Sequence, residues 1–119
     1  MNSTLLGAWG EKLAAKYYRR KGYKCIAVGY CSRFGEIDII LENRDYVVFS
    51  EVKLRKNDSF ALGREFVDCK KQDKIKKTAM IWLSENECEK QPRFDVVEIY
   101  APEGIKTKKP EINLIENAF

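Results

Sequence analysis

GEIDIILENRDYVVFSEVKLR, residues Gly35 to Arg55, holds two apolar runs separated by a polar break. Ile37–Leu41 and Tyr46–Val52 are rich in Ile, Val and Phe, which suit a pleated, half-buried surface. The intervening Glu-Asn-Arg-Asp marks a hairpin. A two-residue turn at Arg44-Asp45 pairs Asn43 with Tyr46. Counting back along both strands then sets Asp38 opposite Glu51, and directly opposed residues point to one face. Alternation places Lys53 one step further along that face. A slip of one residue would send Asp38 and Glu51 to opposite faces. The site and the register are therefore one expectation.

Two neighbouring carboxylates repel, and burial makes both ionised forms costlier. A cation beside them relieves both effects. Lys53 supplies one charge, and an oxygen-only ligand set suits a hard divalent ion such as Mg²⁺. A solvated hairpin face with an ordinary Glu–Lys pair would share the pattern. The context separates the two: these acids interrupt apolar runs, and Tyr46–Val52 is apolar on both faces, as a covered strand is.

The chain has 119 residues, of which 22 are Lys or Arg and 18 Asp or Glu, giving a net charge of +4. That length suits one compact domain over 1–119, with residues 1–5 and 116–119 as fraying ends. The modest positive balance agrees with a polyanion partner. Histidine is absent. Its absence excludes a histidine general base, histidine-bearing zinc sites and every Ser-His or Cys-His nucleophile pair within the chain. Cys25, Cys31, Cys69 and Cys88 form no CxxC. Free thiols, no signal-peptide core at the start and no membrane-length apolar run lead to an expected cytoplasmic setting without a membrane partner.

Around the hairpin, Ser3 or Thr4 can cap a first helix running to about Lys21, with Gly22 as its stop. Leu6, Trp9, Leu13 and Tyr17 recur at helical spacing and are expected to form its buried stripe. Glu11 lies off that stripe in a row with Gly7, Ala14 and Tyr18. From the residues alone it reads as a solvated flank glutamate, although small neighbours would allow a close approach to a sheet. Tyr23–Tyr30 reads as a strand, and 56–65 as a flexible loop. Phe66 to about Ser84 reads as a helix burying Val67, Ile75, Ala79 and Trp82 or Leu83. Its lysines, among them Lys70, Lys71 and Lys74, read singly as a solubilising surface and together as a phosphate-tracking patch. A linker to Pro92, a strand Phe94–Tyr100, a Gly/Pro/Lys loop and a short edge strand Ile112–Ile115 complete the chain. The order is α-β-β-β-α-β(-β), an α/β fold in which helices flank a central mixed sheet.

Gly10-Glu11, Gly35-Glu36-Ile37-Asp38, Phe49-Ser50-Glu51-Val52-Lys53-Leu54-Arg55, Val67 with Lys71-Gln72, and Arg93-Phe94-Asp95-Val96-Val97 resemble, in order, the motifs of the YraN-like family. The resemblance spans roughly Leu6 to Ile99. That family is similar to archaeal Holliday-junction resolvases and to the restriction-endonuclease-like superfamily. The resemblance implies that fold, with the PD-(D/E)xK signature falling on Asp38, Glu51 and Lys53, and the resolvase helix glutamate on Glu11. Ile37 stands where the signature has proline, and GYCSRF lacks the asparagine often found before GEID.

The implied activity is Mg²⁺- or Mn²⁺-dependent cleavage of DNA, with branched or structured DNA among the substrates. Asp38 and Glu51 would hold the ion with the Val52 carbonyl and Glu11. Lys53 would act on the attacking water. Lys71 and Gln72 would meet the scissile phosphate, and Arg55, Lys70 and Lys74 the flanking backbone. The alternatives are a non-catalytic nucleic-acid-binding module on the same fold and an interaction protein with structural carboxylates. A homodimer is left open.

Overall fold

The computed structural model describes residues 5–56 and 68–119. They form α1 (Leu5–Arg20), β1 (Lys24–Cys31), β2 (Glu36–Glu42), β3 (Tyr46–Arg55), α2 (Cys69–Asn86), β4 (Gln91–Tyr100), a 3-10 turn (Gly104–Lys106) and β5 (Glu111–Ile115). The expected caps Ser3 and Thr4, most of the 56–65 loop, and Phe66 and Val67 lie outside the described residues. The fold is α/β, in the order read from the sequence. One mixed sheet runs β1-β2-β3-β4-β5, with β3 and β4 parallel and the other neighbours antiparallel.

Asn43 closes the β2–β3 hairpin. Its Oδ1 accepts from the amides of Asp45 and Tyr46 at 3.0 and 2.8 Å, the local turn chemistry that suits Asn. The ladder runs from Glu42↔Val47 to Ile39↔Ser50, which is the counted register. Two apolar clusters cover the sheet. Ile39, Leu41, Val48, Val97 and Ile99 pack with Ala14 and Tyr18 of α1. Ile40, Val47, Phe49 and Val96 pack with Ile75, Ala79 and Trp82 of α2. Ile37 joins the α2-side cluster together with Ile40, three residues away, so strict alternation fails across Asp38.

The buried face of α1 differs from the expected one. Gly10, Glu11, Ala14 and Tyr18 are buried, while Leu6, Trp9, Leu13 and Tyr17 lie half-buried at the flanks. A Cβ on Gly10 would stand 3.1 Å from Leu54 Cδ2, so the small row is what lets the helix sit close to β3. Gly22, with φ 95°, takes the left-handed conformation that ends the helix. α2 is capped by Asp68, whose carboxylate accepts the Lys71 amide at 2.9 Å.

β4 starts earlier than Phe94 and contains Pro92. The proline is tolerated because β5 pairs with β4 only from Val96 onward, leaving the neighbouring side of Pro92 free of a ladder. The chain end, expected to fray, is tied down instead. The Ala118 amide donates to the Phe94 carbonyl at 2.7 Å, and the Phe119 ring stacks on Phe94 with centroids 5.4 Å apart. All four cysteines are free thiols. Among the described residues no helix is long and apolar enough to cross a membrane.

Candidate functional site

Beyond Ile39↔Ser50 the next opposed pair is Asp38 and Glu51, and each is 5% exposed. Strand bonding stops there and a side chain takes over: Asp38 Oδ2 accepts the Val52 amide at 2.8 Å. Glu51 follows Val47 and Phe49 along the face that packs on α2. Lys53 Nζ stands 3.8 Å from Glu51 Oε2, and the Lys71 ammonium reaches across from α2 to contact the same oxygen. Asp38, Glu51, Lys53 and Lys71 therefore meet at one end of the β2–β3 pair.

The electrostatics follow from burial. Desolvation pushes the Asp38 carboxyl up to about 7, helped by the charge of Glu51 and opposed by the Val52 amide. Burial lowers the Lys53 ammonium, and the charge of Lys71 beside it acts in the same direction. Burial also works against the charged form of Lys71, but the hydrogen bond and charge of Glu51 override it and raise that group. Two buried acids thus meet a half-buried Lys53 and a Lys71 that reaches in from solvent.

Glu11 is 8% exposed rather than solvated. Burial raises its carboxyl, and so do the charges of Glu36 and Glu51, which places it within electrostatic reach of the pair. Among the described residues, no three His, Cys, Asp or Glu side chains converge into a ready ion cage. Glu11 therefore flanks the acid pair rather than closing a nest with it.

The other expected contacts divide. Gln72 is half-buried in the first turns of α2, its amide donating to the Asp68 carbonyl at 2.9 Å. Lys70 and Lys74 are exposed on the same helix, and Arg55 is half-buried at the end of β3. Lys71 belongs with the carboxylates and not with the outlying patch.

Sequence reasoning passed over two carboxylates. Glu98 is fully buried. It pairs with Lys53 in the β3–β4 ladder. Its Oε1 accepts from Asn113 Nδ2 at 3.0 Å, while Oε2 has no hydrogen-bond partner among the described residues. Asp95, also fully buried, lies on the α1 side. It accepts from Tyr18 Oη at 2.8 Å, from Arg93 Nε and Nη2 at 2.9 and 2.8 Å, and from the Asn117 amide at 3.0 Å. Both were visible as acids interrupting FDVVEIY, the same signal that exposed Asp38.

Comparison with known proteins places this geometry in a family. The profile of Uncharacterised protein family UPF0102 matches residues 10–99. A UPF0102 protein of Caldanaerobacter subterraneus subsp. tengcongensis is 42% identical over 121 residues, covering 100% of this chain and 98% of that protein. One from Syntrophomonas wolfei is 42% identical and covers 96% of each chain. One from Clostridioides difficile is 40% identical and covers 100% of each.

Proposed function

The chain belongs to Uncharacterised protein family UPF0102, and from that premise we propose that it is a metal-dependent endonuclease hydrolysing phosphodiesters in DNA, branched or structured DNA included. One observation carries the reading. Asp38 and Glu51 lie one residue beyond the last ladder pair, Ile39↔Ser50, both buried, with Lys53 and Lys71 on the Glu51 carboxylate.

The residues suit a hard divalent ion, Mg²⁺ or Mn²⁺. Burial, then the charge of Glu51, raises Asp38, and a cation beside the pair would offset both. The Lys71 ammonium at Glu51 stands where a cation is accommodated. Asp38 and Glu51 would hold the ion, with the Val52 carbonyl as a third oxygen and Glu11 contributing from the flank. Bound there, such an ion acidifies water and neutralises charge on a phosphodiester.

The chain's own groups do the rest. Lys53, kept beside Glu51, orients the attacking water and offsets charge building on phosphorus. Lys71, which contacts Glu51, would be free to meet the scissile phosphate with Gln72 if that carboxylate held a cation. Lys70, Lys74 and Arg55 follow the backbone, contacts that position a strand without reading its sequence.

The test is cleavage of linear and branched DNA in Mg²⁺, Mn²⁺ and EDTA. Asp38→Asn and Glu51→Gln are expected to lose at least about 100-fold in rate, in line with losing a charge-stabilising group, while still binding DNA. The Lys71–Glu51 pair, which already neutralises one acid, favours a second reading: a binding module without turnover. Clean protein that shifts DNA and never cuts it establishes that reading. Protein that neither cuts nor binds removes both.

A further inference from the structure

A tight turn, Ser32 to Gly35, joins β1 to β2. Ser32 and Gly35 close it by reciprocal backbone bonds, Ser32 N to Gly35 O at 2.8 Å and Gly35 N to Ser32 O at 3.3 Å. The Ser32 hydroxyl accepts the Phe34 amide at 3.0 Å and bonds Thr78 Oγ1 at 2.8 Å. Thr78 spends its own proton on the Lys74 carbonyl at 2.9 Å, so Ser32 is the donor of the pair. Gly35 lies against α2, where a Cβ would stand 3.5 Å from Lys74 Cβ. The turn is thus rigid and pinned to the helix that delivers Lys71.

This turn presents an aromatic ring between cations. The Arg33 guanidinium carbon is 4.9 Å from the Phe34 centroid, and Lys77 Nζ is 5.4 Å from it. Phe34 is half-buried and belongs to neither core cluster. Arg33, Lys74 and Lys77 are exposed. Two acids lie near. Asp73 pairs with Lys77 at 3.0 Å. Glu36 turns toward β1, its Oε2 3.4 Å from where a Gly29 Cβ would stand. Phe34 lies in the turn four residues before Asp38, a reach of at most about 13 Å. That is roughly four steps of a stacked strand at 3.4 Å per phosphate.

We propose that Arg33, Phe34 and Lys77 form a stacking platform for one unpaired base of the strand whose phosphate enters the carboxylate site. The proposal rests on the nuclease reading and narrows its substrate to DNA with single-stranded character beside the cut. The chemistry is specific to an open base. Backbone phosphates of a duplex need only the cations, whereas a ring adds affinity when a base face is free to lie on it. Arg33 then serves both as a planar stacking partner and as a phosphate contact.

Anisotropy in EDTA tests this without turnover, using a labelled single strand, the same sequence as a blunt duplex, and a duplex with an overhang. Wild type is expected to favour the single strand and the overhang. Phe34→Ala is expected to weaken both by about tenfold, the scale of one lost base–aromatic stack, and to leave the duplex within about twofold. Phe34→Trp is expected to restore affinity and to add an indole signal that the single strand quenches beyond any change in wild type. The unfolding midpoint of Phe34→Ala shows that the fold is kept. Equal losses on all three DNAs, no loss on any, or a wild-type preference for blunt duplex overturns the platform while leaving the nuclease reading standing. Failure of wild type to bind any DNA removes both.

Discussion

The Asp38 carboxyl accepts the Val52 amide where a strand carbonyl would ordinarily stand, and it does so with Glu51 beside it and almost no water. Burial, then the charge of Glu51, takes it from an ordinary 3.8 to about 7. The folded protein therefore keeps this proton over a window, from about 4 to about 7, in which the unfolded chain has released it. Fewer protons on the unfolded state mean that stability falls as pH rises through that window. Asp38→Asn stays neutral and still offers an oxygen to Val52. Its stability relative to wild type should grow between pH 4 and 7.5 by about 2–4 kcal/mol, the larger figure corresponding to the whole change in acidity. Urea unfolding of both proteins in EDTA measures this, and a difference that does not vary with pH removes the claim. Mg²⁺ at pH 7.5 should stabilise wild type and not Asp38→Asn. Asp38, Glu51 and Lys53 were legible beforehand because a two-residue turn gives an origin for counting. Glu98 and Asp95 showed as acids within FDVVEIY, but their neighbours did not: β4 joins β3 through α2, and a crossover supplies no turn from which to count register.

α1 shows what side-chain size does to an element's orientation. Its large apolar residues Leu6, Trp9, Leu13 and Tyr17 line up at helical spacing, yet the face against the sheet is centred on Gly10, Glu11, Ala14 and Tyr18. Periodicity gave the helix and misplaced its inward face, because hydrophobicity scales reward bulk and close helix–sheet packing requires its absence. Gly10 is the test. A methyl there would meet Leu54 Cδ2 at 3.1 Å and Cδ1 at 3.3 Å, the far end of a flexible side chain. Gly10→Ala should therefore stay within about 1 kcal/mol of wild type, since the better helix former offsets the crowding. Gly10→Val adds volume that Leu54 alone does not absorb, and should lose about 1–3 kcal/mol, as overpacked cores do. Denaturation midpoints separate the two variants, and equal stability of Val and Ala would mean that α1 does not sit against β3 as described. The ends of α2 were similarly half-legible. Its apolar stripe located Ile75, Ala79 and Trp82, whereas the cap at Asp68 was hidden inside a run already read as helix.

At the scale of the whole molecule, the sheet has a polar tie on its α1 side as well as the acid site on its α2 side. Asp95 of β4 joins α1 through Tyr18, and Tyr18 takes a further hydrogen bond from Ser50 of β3 at 2.9 Å. The same carboxylate holds Arg93 by two bonds and the Asn117 amide by one, so it also anchors the chain end. Arg93 lies between the rings of Tyr23 and Tyr46, 5.3 and 5.0 Å from their centroids. Charge assistance from Asp95 raises the guanidinium, and burial with the Asp95 charge raises the Tyr18 hydroxyl. Most hydrogen bonds of this tie end on one acid that is fully buried. Asp95→Ala leaves a poorly hydrated guanidinium and a buried hydroxyl without their acceptor, and should lose about 3–5 kcal/mol. That is a large part of the roughly 5–15 kcal/mol that holds an ordinary domain together. Arg93→Met combined with Asp95→Leu removes both charges and should recover much of the loss, because an apolar pair of similar volume replaces a buried ion pair at little net cost. The chemical-denaturation cycle of wild type, Arg93→Met, Asp95→Leu and the double replacement, with Asp95→Ala beside it, reads this directly. A loss below about 1 kcal/mol in Asp95→Ala would mean that helix, sheet and chain end are held by the apolar clusters alone, with Asp95 merely accommodated among them.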